Sequence, residues 1–144
     1  MAAQVQVQKP RVDVIKDLLY SMWHVSLTVR NVFPRFETWR RAVDIVLALV
    51  RRCGGGEGLT VHELSRLTGV HRTTLKHYVE RLCVLGLVRK KFVLKSSGGG
   101  YTCTYSADVT QVLQRVVEIL QGEIRQKHEF VDRVRAVLSR YESS

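Results

Sequence analysis

Hydrophobic side chains recur every three or four positions over five segments of the chain. This is the spacing of a helix that buries one face. The predicted helices run over about Pro10–Phe33, Arg35–Cys53, Thr60–Thr68, His71–Leu85 and Asp108–Tyr141. The third and fourth are short and close together, whereas the fifth is longer than a small domain can cover. The pattern therefore predicts a mainly helical protein in which a pair of short helices is followed by one long helix.

The two short helices carry the signals that start, join and end such elements. Thr60 and Glu63 have the spacing of a capping box, in which each side chain bonds the other residue's amide. Gly69 occupies the position where a left-handed residue ends the first helix. The apolar residues of the second helix share one face and are Leu75, Val79, Leu82 and Leu85. Those of the first are Leu64 and Leu67, which we expect to face inward. The segment is thus a helix–turn–helix.

After Gly86 the pattern changes from helical to strand-like. Leu87–Lys95 is β-branched and aromatic with interleaved cations, Ser96–Gly100 is a glycine-rich tip, and Tyr101–Ser106 is a return strand. We therefore predict a basic β-hairpin. Its cations are placed to meet phosphates, which adds affinity without reading sequence; they are Arg89, Lys90, Lys91 and Lys95.

The polar face near the start of the second helix supplies candidates for contact with base edges. They are His71, Arg72, Thr73, Thr74, Lys76 and His77. Arg72 suits guanine because its fork matches O6 and N7, and Lys76 can make the same contact less rigidly. In an isolated helix the same residues would form an ordinary solvated face. The capped helix pair and the basic hairpin favour DNA contact here.

These motifs, Leu-Thr-x-x-Glu-Leu-x-x-Leu-Thr-Gly-Val followed by x-Arg-x-Thr-Leu and Leu-Gly-Leu-Val, resemble those of winged helix-turn-helix transcription regulators. The MarR-like and TrmB-like groups, with an archaeal source, are the most similar. The resemblance implies an α+β fold, mainly α with a small β-hairpin. It places a DNA-binding domain at 35–107 with the hairpin as its wing. The residue pattern itself predicts a disordered 1–9 and an N-terminal helix at 10–33 before that domain. His71 stands where many relatives have Ser, and imidazole is a poorer helix cap.

The last segment, 108–144, has the heptad spacing of a helix that pairs with another helix. Residues at spacings of four and three form the predicted dimerisation seam: Leu113, Val117, Leu120, Ile124, Val131, Val134, Leu138 and Tyr141. Lys127 interrupts it. A second stripe, able to pack on the body of the domain, contains Val109, Val112, Val116 and Ile119. We therefore expect a homodimer joined by these helices, with possible contact from the N-terminal helix.

The charge of the chain is unevenly distributed. Lysine and arginine number 23 against 13 acidic residues, a formal net charge of +10. Residues 1–56 carry 9 basic and 4 acidic groups and 57–107 carry 8 and 3, whereas 108–144 carry 6 of each. The excess positive charge thus lies outside the long helix. This distribution favours a polyanionic partner for the first two segments.

Other chemistry has little support in the sequence. Cys53, Cys83 and Cys103 are far apart and odd in number, which argues against a disulfide framework or a zinc site. There is no catalytic constellation or phosphate-binding loop, so we predict neither an enzyme nor a cofactor. The longest apolar run, Ile45–Val50, is too short to span a bilayer, and a cytoplasmic, nucleoid-associated protein is expected. Five residues either line a small-molecule effector pocket or, as we favour, form core: Met22, Trp23, Phe33, Phe36 and Trp39.

The sequence therefore predicts a dimeric regulator that binds double-stranded DNA. Two alternatives remain: an architectural nucleoid protein with low sequence preference, and a winged helix that binds protein within a larger assembly. The ratio of affinities for a specific site and for random duplex separates the first two, and binding of no nucleic acid would indicate the third.

Overall fold

A computed structural model describes residues 12–53, 56–95 and 98–143. The predicted fold class is confirmed: the described residues form six helices and one antiparallel β-hairpin. The predicted disordered segment 1–9 lies outside the described residues. The elements in chain order are α1 Val12–Val25, α2 Leu27–Val32, α3 Phe36–Cys53, α4 Val61–Thr68, α5 Arg72–Leu85, β1 Arg89–Leu94, β2 Tyr101–Ser106 and α6 Val109–Glu142.

Helix α3 forms the centre of the core, because nine of its eighteen residues are buried. Trp39 is fully buried, and its indole Nε1 donates to the carbonyl of Leu19 in α1 at 2.7 Å. Its ring packs 5.5 Å from that of Phe33, which is itself fully buried. Met22 is buried as well, while Trp23 and Phe36 pack against the core edge. These five residues therefore pack as core, as favoured from the sequence.

The N-terminal segment predicted as one helix over 10–33 is two helices. Ser26 adopts an extended backbone between them and caps α2, its side chain accepting from the amide of Val29 at 3.2 Å. Glu123 of α6 fixes this break: its Oε1 accepts from Ser26 Oγ at 3.2 Å and from the Thr28 amide at 2.9 Å. A residue nearly one hundred positions away in sequence thus binds the start of α2, and the local apolar spacing could not reveal it.

The helix–turn–helix has the predicted caps. Thr60 and Glu63 form the capping box, and Gly69 is left-handed with φ of 73°. The fully buried Leu64 packs inward as expected, but Leu67 is 46% exposed, so its predicted inward position is wrong. An eight-residue helix presents little more than two turns, and here only one of its leucines faces α5 and the core.

The hairpin is attached to the rest of the fold at its base. Arg89 pairs with Ser106 in the register, and its side chain forms a salt bridge with Asp108, which caps α6. Tyr105 is buried, and its backbone bonds that of Leu59 in both directions, at 2.8 and 2.7 Å. The base of the wing is therefore held by the chain on both sides.

Helix α6 divides into a packed half and an uncovered half. Val112 and Ile119 are buried and Val109 and Val116 pack beside them, so the predicted second stripe does contact the domain. From residue 124 to residue 143, by contrast, every position is exposed. With 34 residues the helix is about 50 Å long. Its C-terminal half extends beyond the body of the domain.

Candidate nucleic-acid interface

The N-terminal turn of α5 lies open to solvent. His71 is its N-cap, and its Nδ1 accepts from the amide of Thr73 at 3.3 Å. The imidazole of His71 thus caps the helix, as a serine hydroxyl commonly does, but the hydrogen bond from the Thr73 amide is long. All six residues predicted to meet base edges are exposed: His71, Arg72, Thr73, Thr74, Lys76 and His77. Because the opposite face carries the buried Leu75 and Val79, the helix is fixed with this polar face outward.

A groove of about 620 Å³ lies between the start of α5 and the wing. It brings Arg72, Thr73 and Lys76 of the helix together with Lys90 and Lys95 of the hairpin. The lining also contains seven residues that the sequence did not assign to DNA binding, namely Thr60, Val61, His62, Tyr101, Thr102, Cys103 and Tyr105. Only the register of β2 against β1 and the position of α4 bring them here. Of the other predicted residues, Thr74, His77, Arg89 and Lys91 are exposed but lie outside the groove lining, and Lys91 is on the opposite face of the hairpin.

Two of the predicted phosphate-binding cations have intramolecular partners. Arg89 is bound to Asp108, and Lys90 Nζ donates to Glu80 Oε1 at 2.9 Å. Lys90 lowers the pKa of Glu80 by this hydrogen bond, and Glu80 in turn raises the pKa of Lys90. Both cations position the wing against the helices, and phosphate contact from either must compete with its carboxylate.

The remaining cations are available. Within the described ranges, no salt bridge involves Arg72, Lys76, Lys91 or Lys95, and all four are exposed. Two flank the groove at the start of α5 and two extend along the hairpin. A polyanion lying across this surface meets positive charge from both elements without first breaking an ion pair.

Two groups behind the groove are held in their neutral form. Tyr105 Oη donates to Glu80 Oε1 at 3.0 Å, and burial is the main cause that raises the pKa of Tyr105. Burial also raises the pKa of the Cys83 thiol to about 11. Both groups stay protonated at neutral pH, so neither adds negative charge to the surface.

The described residues do not form a metal site, a membrane span or a disulfide. Among the residues that the structure describes, no three His, Cys, Asp or Glu side chains converge as a metal site would require. None of the helices there combines the length and apolar character needed to cross a membrane. All three cysteines are free thiols.

The helix pair, the exposed helix start and the basic hairpin together define a winged helix-turn-helix domain. Residues 40–91, from within α3 to the first half of β1, match the model of the IclR helix-turn-helix domain. That domain is a DNA-binding module and not an enzyme. The match confirms the helix-turn-helix class; the MarR-like or TrmB-like subgroup stays a prediction.

A solved structure shares the fold. It is described as a possible transcriptional regulator from Methanosarcina mazei Go1 and superposes with a TM-score of 0.54 at 11% sequence identity. The superposition covers 74% of this chain and 84% of that one. No curated protein matches the sequence. At this identity the likeness concerns the fold alone.

Proposed function

We propose that this protein is a dimeric, sequence-specific DNA-binding regulator of transcription. The observation that carries the proposal is the groove in which the exposed start of α5 meets the cationic wing. In winged helices of this kind the second helix enters the major groove and the hairpin meets the flanking backbone or minor groove. We therefore assign 35–107 to DNA binding and place the protein on the nucleoid, in the cytoplasm.

Base reading is assigned to the first turns of α5. Arg72 is exposed at the first position of α5, beside the cap. A side chain at this position extends past the end of the helix toward the floor of the DNA major groove. Its guanidinium can donate two parallel hydrogen bonds to guanine, an arrangement worth about 1–3 kcal/mol of discrimination. Thr73 and Thr74 are exposed beside it and can contact a phosphate or a thymine methyl group. Lys91 and Lys95 then hold the backbone on the wing side.

Dimerisation is assigned to the uncovered half of α6. Its exposed apolar residues include the predicted Ile124, Val131, Val134, Leu138 and Tyr141. Phe130 and Val137, at 57% and 64% exposure, widen the same face beyond the predicted heptad seam. Such a continuous apolar face on a helix that extends from its domain is typical of a helix-pairing surface. The seam residues Leu113 and Leu120, nearer the domain, are only partly exposed.

The N-terminal helices contribute to the same surface. A groove of about 850 Å³ separates α2 from α6, and its lining includes Leu27, Val32, Phe130 and Val131. It continues the apolar face of α6 toward the body of the domain. A two-fold dimer built here would present two α5 helices, and their spacing of about 34 Å calls for a palindromic site.

The test is binding of the purified protein to the DNA upstream of its own gene and to random duplex of equal length, each at two salt concentrations. A regulator prefers its own site by about 10³-fold or more. Equal and steeply salt-dependent binding to both would instead indicate an architectural protein. Binding to neither would refute a role on DNA and leave the protein-binding winged helix.

A further inference from the structure

One face of the wing carries large apolar side chains that nothing in the described chain covers. Phe92, Leu94 and Tyr101 are 66%, 67% and 66% exposed. The strand register places Leu94 directly opposite Tyr101, and Phe92 lies two residues before Leu94 on the same face. The three side chains therefore form one patch, which we call the wing patch.

The wing patch lies on the side of the hairpin that faces α5. Lys90 and Tyr105, which pair across the strands, belong to the same face, and both reach Glu80 of α5. Nearer the hairpin base, α5 covers this face and Tyr105 is only 1% exposed. Toward the tip the hairpin extends past α5, and Tyr101 lines the groove together with Arg72 and Lys76. The wing patch is thus continuous with the candidate DNA interface.

The charge around the wing patch identifies its partner. Residues 89–106 contain four cations and no aspartate or glutamate. Lys91 and Lys95 are next to patch residues in sequence, Lys91 on the opposite face of the hairpin with Val93, and neither forms a salt bridge in the described chain. A second copy of the hairpin would carry the same charge and be repelled. Duplex DNA offers phosphates for the lysines and base faces for the apolar side chains.

We propose that the wing patch enters the minor groove of the bound duplex, wedges against a base step and bends the DNA. The proposal rests on the DNA-binding function argued above. Apolar side chains inserted in this way partly unstack a step and kink the duplex by about 20–90°. Pyrimidine–purine steps such as TA deform most easily. The wing then selects sequence through deformability, at positions where α5 makes no contact.

The experiment uses the upstream DNA, or random duplex if the two bind equally, as fragments of about 30 bp with a donor and an acceptor dye at the ends. Energy transfer reports the bend, and 2-aminopurine placed at successive TA steps reports unstacking. The variants are Phe92→Thr and Tyr101→Thr, which keep strand propensity. Val93→Thr is the matched control, because Val93 is on the same strand but points to the opposite face.

The wild-type protein and Val93→Thr should increase energy transfer and brighten 2-aminopurine at one step. Phe92→Thr and Tyr101→Thr should abolish both signals and bind about tenfold more weakly, with an unchanged salt dependence because the phosphate contacts remain. Unchanged thermal midpoints would show that the hairpin is intact. Binding by the wild-type protein without bending or unstacking would overturn the wedge while sparing the proposed function. Failure to bind any duplex would overturn both.

Discussion

Replacing Val134 and Leu138 together by aspartate should separate the dimer into monomers. Five seam residues are each about half exposed in the protomer, at 42–54%: Val117, Ile124, Val131, Val134 and Leu138. Burying the remaining half of such a side chain is worth about 1 kcal/mol. Ten of them in a dimer contribute about 10 kcal/mol, against an association cost of roughly 4–15 kcal/mol. The helix contact therefore gives a stable dimer only if most of the seam residues are buried in it.

The double variant removes four of these ten contributions, or about 4 kcal/mol, which corresponds to a roughly 1000-fold weaker dimer. Sedimentation equilibrium measures the association constant directly. Ala136→Asp is the control, because Ala136 is exposed on the opposite face of α6 and receives the same aspartate side chain, once per protomer instead of twice. A wild-type protein that sediments as a monomer at micromolar concentration, or a double variant as dimeric as the control, would refute the assignment of α6.

Three further predictions concern the stability of the fold. Glu123→Ala removes the acceptor of three hydrogen bonds at the start of α2 and should lower the free energy of unfolding by about 1–3 kcal/mol in urea titrations; a change below the error would mean that α2 is held by packing alone. Gly86→Ala should lower the thermal midpoint more than Gly69→Ala. Both glycines have positive φ, but a Cβ at Gly86 would stand 2.6 Å from Nε of Arg115, whereas a Cβ at Gly69 would meet open space. An equal loss of stability in the two variants would show that the Arg115 side chain moves aside freely. Lys90 lowers the pKa of Glu80 in the folded protein, so the ion pair stabilises the fold at any pH above the ordinary carboxyl pKa. This contribution is lost as the pH falls through the lowered pKa of Glu80. Unfolding midpoints of the wild type and Glu80→Gln should therefore converge in acid, and a gap independent of pH would contradict this sign.

Local signals explain how much of the fold was predictable. The Thr60 capping box, the left-handed Gly69 and Gly86, and the hairpin strands all depend on residues within a few positions of each other. The break at Ser26 combines a local cap, the Ser26 side chain on the Val29 amide, with the distant Glu123, which the apolar spacing does not indicate. Leu67 illustrates the same limit, because its spacing matches Leu64 but its exposure depends on what packs around α4.

The candidate site shows a similar division. The sequence identified the exposed cations, because lysine and arginine side chains are rarely buried and the helical spacing shows which face of α5 is polar. Which cations are already paired follows from the tertiary fold: Arg89 meets Asp108 only because the hairpin returns to the start of α6. The sequence did not predict the exposed wing patch, because alternating apolar residues in a strand usually indicate a buried face.

The central claim is that α5 reads bases while the wing holds phosphates, and one comparison tests it most directly. Affinities for the upstream DNA and for random duplex are measured across a salt series for the wild type, Arg72→Ala and Lys91→Ala. Arg72→Ala should lose about 1–3 kcal/mol of preference for the upstream site, whereas Lys91→Ala should weaken binding to both duplexes equally and reduce the salt slope by about 1. If Arg72→Ala instead weakened both duplexes equally and left the preference unchanged, α5 would not be the element that reads the sequence.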